Sequence, residues 1–223
     1  MPTLDRDGDV FVLNLGDSEN RFHPDWLAEV HGHLVTVGST EGPRALVTTA
    51  SGKFFSNGLD LDWLGQHGDD FLGYVVDVHH LFERVLGLGV ATVAAVQGHA
   101  FAGGGMLALA HDFRVMRADR GYFCLPEVDI NIPFTRGMSA LIQAKLAPKA
   151  AHEAMTTGRR YGGRDALASG IVDAVTHEDD VLSSAIEMAR PLAGKAGTTL
   201  ATIKARMYPR AFDALADKDT PLD

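Results

Sequence analysis

Three segments of the 223-residue chain carry residue types whose spacing could do chemistry. In the first, Gly52-Lys-Phe-Phe-Ser-Asn-Gly-Leu-Asp-Leu61, an apolar run exits into a glycine-bearing turn. In the second, Val93 to Val96 leads through Gln97, Gly98 and His99 to Gly103, Gly104 and Gly105, then Met106 and Leu107. In the third, Tyr122-Phe-Cys-Leu-Pro-Glu-Val-Asp-Ile130, Glu127 sits among apolar neighbours. Glycines between a strand and a helix let backbone N–H groups approach a ligand, and the helix N-terminus adds positive potential. Amides placed so can hold a developing oxyanion without a charged side chain. The competing reading is close packing of a helix on a sheet, and the segment alone leaves both open. Its spacing follows neither the Walker nor the dinucleotide glycine pattern.

Other polar residues fit weaker chemistry. Glu127 could equally cap a turn. Asp129 is the nearest rival acid and reads as exposed or turn-capping. His99, placed in the strand-to-helix loop, reads as a hydrogen-bonded loop histidine. The pairs His79-His80 and His111-Asp112 lack a spaced third ligand, so no metal site is expected. Ser56 and Asp60 have no histidine at a suggestive spacing, which leaves a hydrolase triad unsupported. Asp60 instead reads as a cap on the turn carrying Leu59. Cys124, the one cysteine, excludes an intrachain disulfide and reads as a small core residue. Lys53 and Arg21 are candidates for phosphate contacts or plain surface charges.

The elements that must position these residues follow from periodicity. Strands are expected at Val10–Leu15, Ala45–Thr49, Thr92–Val96 and Phe113–Met116, with Tyr122–Leu125 a candidate and Ile171–Val175 the last. Helices are expected over 25–37, opened by Pro24, and over 71–86, with a further one running from Gly103–Gly105 to His111. Beyond Gly137 helix dominates, over 137–146, 148–157, 163–169, 179–194 and 197–215. Ser51–Gly58 reads as a loop leading into a short turn near Leu59–Leu64. Strands alternating with helices give an α/β architecture. Residues 1–195 are expected to form one core. Residues 196–223 form a helical segment, not an independent domain, that packs on that core or on a neighbouring subunit.

Composition bounds the partners. Hydrophobic residues make up 46% and charged residues 22%, and the formal net charge is −9. That balance disfavours nucleic acid or an anionic membrane as the main partner. Leu86 to Ala110 lacks Asp, Glu, Lys and Arg and is long enough to span a bilayer, yet it holds six glycines with Gln97 and His99 mid-span. A buried strand, a glycine loop and a buried helix explain it better, so no membrane insertion is expected. No signal pattern opens the chain and no targeting tripeptide closes it, which makes the cytoplasm the expected compartment.

Taken together, Phe54-Phe-Ser-Asn-Gly-Leu-Asp-Leu, Ala94-Ala-Val-Gln-Gly-His-Ala-Phe-Ala-Gly-Gly-Gly and Pro126-Glu127 resemble the crotonase (enoyl-CoA hydratase/isomerase) superfamily, most of all its 3-enoyl-CoA to 2-enoyl-CoA isomerases. Glu19-Asn-Arg-Phe-His-Pro and Gly170-Ile-Val-Asp-Ala-Val add to the likeness, which covers nearly the whole chain. The resemblance implies a crotonase-like spiral of β-β-α turns with a helical C-terminal region, and a homotrimer or dimer of trimers. It implies an acyl-CoA thioester substrate, with CoA arriving as part of the substrate and no separate cofactor. The thioester oxygen would be held by the backbone amides of Leu59 and Gly104, each contributing about 3–4 kcal/mol to the transition state. Asn57, Gly58, Asp60, Phe101, Gly103 and Leu107 would surround the substrate, and Met106 and Leu109 could line an acyl tunnel.

The same resemblance assigns the acid–base role to Glu127. Hydratases of the family use two glutamates; the first position here is Leu107, the second Glu127. A single carboxyl group suffices to move one proton from C2 to C4, and apolar surroundings (Leu107, Phe101, Phe123, Ile130) should raise its pKa. The acid that some members place further along falls here on Thr135, which cannot serve. Rivals are another crotonase reaction, such as hydration, hydrolysis or decarboxylation, and a non-catalytic acyl-CoA-binding protein.

Overall fold

The computed structural model describes residues 1–218. The end of the expected 196–223 segment, with the C-terminal tripeptide, lies outside the described residues. The strands are β1 (Thr3–Asp7), β2 (Val10–Asn14), β3 (Ala45–Thr49), β4 (Phe54–Ser56), β5 (Ala91–Val96), β6 (His99–Phe101), β7 (Phe113–Arg117), β8 (Phe123–Cys124) and β9 (Ala174–Thr176). The helices are α1 (Pro24–Ser39), α2 (Leu61–Gln66), α3 (Phe71–Gly87), α4 (Gly103–Ala110), α5 (Arg136–Lys145), α6 (Pro148–Thr157), α7 (Gly163–Ala168), α8 (Val181–Ala189), α9 (Thr198–Met207) and α10 (Pro209–Leu215).

A six-stranded sheet runs in the order β1-β2-β3-β5-β7-β9, parallel except for the β1–β2 hairpin. A smaller parallel sheet runs β4-β6-β8. After the β1–β2 hairpin and α1, the pairs β3/β4, β5/β6 and β7/β8 each give one strand to each sheet before the chain turns helical, which is the spiral of β-β-α turns that the family resemblance implied. Every residue of β3 and β5 is buried because helices cover both faces of the large sheet. Val47, Val93 and Ala95 face Val181, Ala185 and Ala189 of α8. Leu46, Ala94 and Val96 face the main core, which takes in Leu27, Val30 and Leu34 of α1 and Val78, Phe82 and Val85 of α3.

Differences from the periodicity reading have local causes. The β1 strand is mostly exposed and polar, so it lacks an apolar alternation; the Gly8 turn at φ +60° pairs it with β2. Strands β4 and β6 are three residues each, too short to carry a period, and hide in segments read as loops. The expected Ile171–Val175 strand shifts to Ala174–Thr176. The expected 179–194 helix is α8 flanked by two short 3-10 turns, and 197–215 divides at Tyr208 because Pro209 starts a new helix.

The last helices pack on the chain's own core. Ala211 and Leu215 join it, and buried Lys204 donates to the carbonyls of Leu88 (3.0 Å) and Val90 (2.7 Å) while pairing with Asp112 at 2.7 Å. The uncharged Leu86–Ala110 stretch spans the end of α3, β5, β6 and α4. Among the described residues no helix is long and apolar enough to cross a membrane.

Candidate active site

Two glycine-bearing turns far apart in sequence meet backbone to backbone. A Cβ added at Gly58 would fall 2.5 Å from Gly103 N and 3.1 Å from Gly104 N; one added at Gly104 would fall 2.1 Å from Ser56 O. Only glycine permits this approach, and it sets the peptide leading to Leu59 against the first turn of α4. There the N–H groups have no intrahelical acceptor. Around Leu59 the neighbouring amides are taken: Asn57 N–H donates to Glu19 O, Gly58 N–H to Ser56 Oγ, and Asp60 N–H to the Tyr74 hydroxyl. The Leu59 N–H makes no such bond among the described residues. Ala102, the residue before α4, holds φ +49° and ψ −124°, a strained conformation for a residue with a Cβ.

Asn20 braces this region. It is buried at φ +48°, and its Nδ2 donates to the carbonyls of Phe54 and Phe55 while its own carbonyl accepts from Ser56 Oγ at 2.8 Å. Phe22 N–H then donates to Gly58 O at 2.8 Å. The Glu19-Asn-Arg-Phe stretch stood out in the sequence as family-like, but its bracing role needs contacts 35 residues away, which no spacing reveals.

Beside the paired turns lies a cavity of about 450 Å³. Glu127 projects into it from the loop after β8, where Asp129 and Ile130 N–H donate to Pro126 O and Ile132 N–H donates to Glu127 O. This tight loop turns Glu127 inward, 6% exposed, while Val128, Ile130 and Ile132 remain at the surface. The carboxyl atom Oε2 is buried and without a hydrogen-bond partner among the described residues. Burial pushes the Glu127 pKa up to about 7 against the weaker opposing pull of its own backbone amide.

Of the expected site residues, Asn57, Leu59, Phe101 and Glu127 line the cavity. Gly58, Gly103 and Gly104 form the backbone contact behind it. Asp60 and Leu107, expected around the substrate, do not line it. Asp60 Oδ1 instead accepts from Trp63 N–H and caps α2, the role its spacing suggested. Leu107 is buried inside α4 with its carbonyl hydrogen-bonded to His111 Nδ1, and Met106 and Leu109 are core as well. Thr135, singled out only as a position lacking the acid of other members, also lines it, and the remaining walls come from residues to which the sequence reading gave no site role: Leu61 and Leu64 on α2, Phe71 and Val75 on α3, and Ile132 to Phe134 with Met138. Their only signal was the apolar face of the 71–86 helix.

The other candidates resolve into structural roles. Thr135 lines the cavity, caps α5 by accepting from Met138 N–H, and lies 2.7 Å from Nε2 of buried His79. His111 is a core histidine bonded to Leu107 O and Thr48 Oγ1, and burial lowers its pKa to about 4. His99 belongs to β6 rather than to a loop and packs among the rings of Phe54, Phe101 and Tyr122, outside the cavity. Cys124 is buried, donates to Gly158 O and is pushed by burial to about 11, which suits packing and not nucleophilic attack. Arg21 is engaged by Glu19, Asp62 and Asp60, and Lys53 lies over the Phe54 ring. Among the described residues no three His, Cys, Asp or Glu side chains converge as a metal site would need.

Residues 6–219 match the enoyl-CoA hydratase/isomerase family profile. The chain is 40% identical over 221 residues to enoyl-CoA delta isomerase 3 of Arabidopsis thaliana, covering 94% of this chain and 92% of that one. It is 38% identical to the peroxisomal enoyl-CoA delta isomerase 2 of the same plant, over 94% and 92% of the two chains. Its fold is similar to the crystal structure of human mitochondrial delta3-delta2-enoyl-CoA isomerase, with a TM-score of 0.86 and 25% identity over 96% of this chain and 85% of that one.

Proposed function

The chain belongs to the enoyl-CoA hydratase/isomerase family, and from that premise we propose that this enzyme moves the double bond of an unsaturated acyl-CoA from the 3 to the 2 position. The Glu127 carboxylate removes a proton from C2. Charge then delocalises from the thioester oxygen, held by the Leu59 and Gly104 amides, along the dienolate to C4. The protonated Glu127 returns the same proton there. A pKa near 7 suits a group that must act first as base and then as acid at neutral pH.

One observation carries this reading: Glu127 is the only acidic residue lining the cavity among the described residues. Water addition to a double bond benefits from a second acid–base group, and the position where family hydratases keep theirs is Leu107, buried within α4. The relatives named enoyl-CoA delta isomerases support the same assignment. The chemistry asks for no metal or redox group; CoA comes with the substrate. A homotrimer or dimer of trimers and a cytoplasmic setting complete the proposal, to be checked by light scattering and by imaging of a tagged chain.

The test is turnover of 3-enoyl-, 2-enoyl- and saturated acyl-CoAs by purified protein. We expect rapid formation of 2-enoyl-CoA from the 3-enoyl thioester and little hydration or hydrolysis. Hydration of 2-enoyl-CoA as the main turnover would overturn the isomerase assignment. A non-catalytic binder would hold ligand with no turnover, and Glu127→Gln would change nothing.

A further inference from the structure

We propose that Lys145 is a site of covalent self-acylation, its ε-amine accepting the acyl group of an acyl-CoA whose chain is seated in an apolar groove between α9 and the first residues of β5 and β7. The inference rests on the acyl-CoA reading above only for the acyl donor. Lys145 ends α5 and is half-buried. It lines a groove of about 340 Å³ with Ala91, Phe113, Leu192, Leu200 and Ile203. Phe113 and Ile203 stay 36% and 49% exposed, so the groove opens to solvent along an apolar lip.

The amine is unusually free to react. Lys204, in the same groove, is held by two carbonyls and Asp112. Lys145 has no carboxylate within ion-pair distance among the described residues; its Nζ lies 5.0 Å over the Tyr208 ring. Burial lowers its pKa to about 8. The charged groups facing it are mixed: Arg114 and Lys204 push the same way, Asp112 and Asp173 oppose, and Lys195 stands at the rim. A desolvated lysine beside other cations is a recognised way to present a neutral amine near neutral pH.

The step balances without a further reactant. The neutral Nζ attacks the thioester carbonyl carbon, the C–N bond forms, the C–S bond breaks, and CoA leaves as the thiol after taking the amine proton. The product is an amide that has lost the positive charge of Lys145.

The experiment incubates the full-length protein separately with acetyl-CoA and hexanoyl-CoA and follows each lysine by peptide mass spectrometry. Near pH 7.5 we expect Lys145 to be labelled on the order of tenfold faster than Lys149, since a larger neutral fraction is only partly offset by lower nucleophilicity. Its rate should level off above about pH 8. Hexanoyl-CoA should outpace acetyl-CoA at Lys145 alone, and Ile203→Gln should erase that advantage. Labelling no faster than at Lys149, a rate still climbing well above pH 9, or equal rates with the two thioesters would overturn the proposal. Glu127→Gln should label like the wild type. Isomerisation without Lys145 labelling therefore sinks this inference alone, and labelling without isomerisation sinks the functional reading alone.

Discussion

Two buried polar regions flank α4 and differ in one respect. Toward the C-terminal helices, His111 bonds both ring nitrogens and Lys204 bonds two carbonyls and Asp112. Facing the cavity, Glu127 is as deeply placed but leaves Oε2 without a partner. Buried polar groups that are fully paired stabilise a fold; one left unpaired against a hollow costs stability and is available to a ligand. The contrast separates residues that build the protein from those held ready for its chemistry.

The sharpest way to break the contrast is to remove each group in turn. Glu127→Gln should lower turnover of a 3-enoyl-CoA by about 10²–10⁴-fold, the range of general acid–base catalysis. Its melting temperature should stay the same or rise, because a neutral amide replaces an isolated buried acid. Lys204→Met should do the reverse. Leaving two carbonyls unpaired and Asp112 with only the Thr92 N–H should cost about 3 kcal/mol in urea unfolding, with turnover per folded molecule little changed. If both variants lost stability and activity together, the division would be false.

Titration sharpens the same comparison. Glu127 binds its proton more tightly when folded, at about 7 against the ordinary 4.5. Between those values the native state holds the extra proton, so stability falls as pH rises from about 4.5 to 7 and is constant above. The loss amounts to about 3 kcal/mol. His111 has the opposite sign: its folded pKa near 4 lies below the usual 6.5, so its contribution fades as pH falls from about 6.5 to 4. Urea unfolding of Glu127→Gln across pH 4–8 should remove the first slope and leave the second. Turnover by the wild type should rise through about pH 7 as the carboxylate forms.

What the sequence made legible follows the same division. The buried strands β3 and β5 and the long helix α3 announced themselves by apolar runs and 3.6-residue spacing, strong signals because packing dictates every position. Strands β4 and β6 of the small sheet did not, for their three-residue runs exist only through pairing with each other and with β8, which falls inside the candidate strand at Tyr122–Leu125. In the site, Glu127 and the two glycine turns were visible because their chemistry restricts residue type. The walls at Phe71, Phe134 and Met138 were not, since an apolar residue facing a cavity reads the same as one facing a core. Leu107 shows the converse: motif position placed it with the substrate, while the packing of α4 puts its side chain in the interior.

Asp60 stands between the two regions in kind and sets the smallest expected effect. Its carboxylate caps α2 through Trp63 N–H, and its own amide donates to Tyr74 on α3, so it ties the Leu59 turn to two helices that wall the cavity. Loss of an N-cap costs about 1 kcal/mol, so Asp60→Ala should unfold only slightly more easily than the wild type. If the cap also fixes the direction of the Leu59 amide, the variant should lose kcat while KM for the thioester stays nearly constant. That split belongs to a donor that acts only on the transition state. Asp60→Asn, which can still accept from Trp63 N–H, should recover most of the loss. A drop in stability with kcat unchanged would instead place Asp60 with His111 and Lys204, as part of the frame.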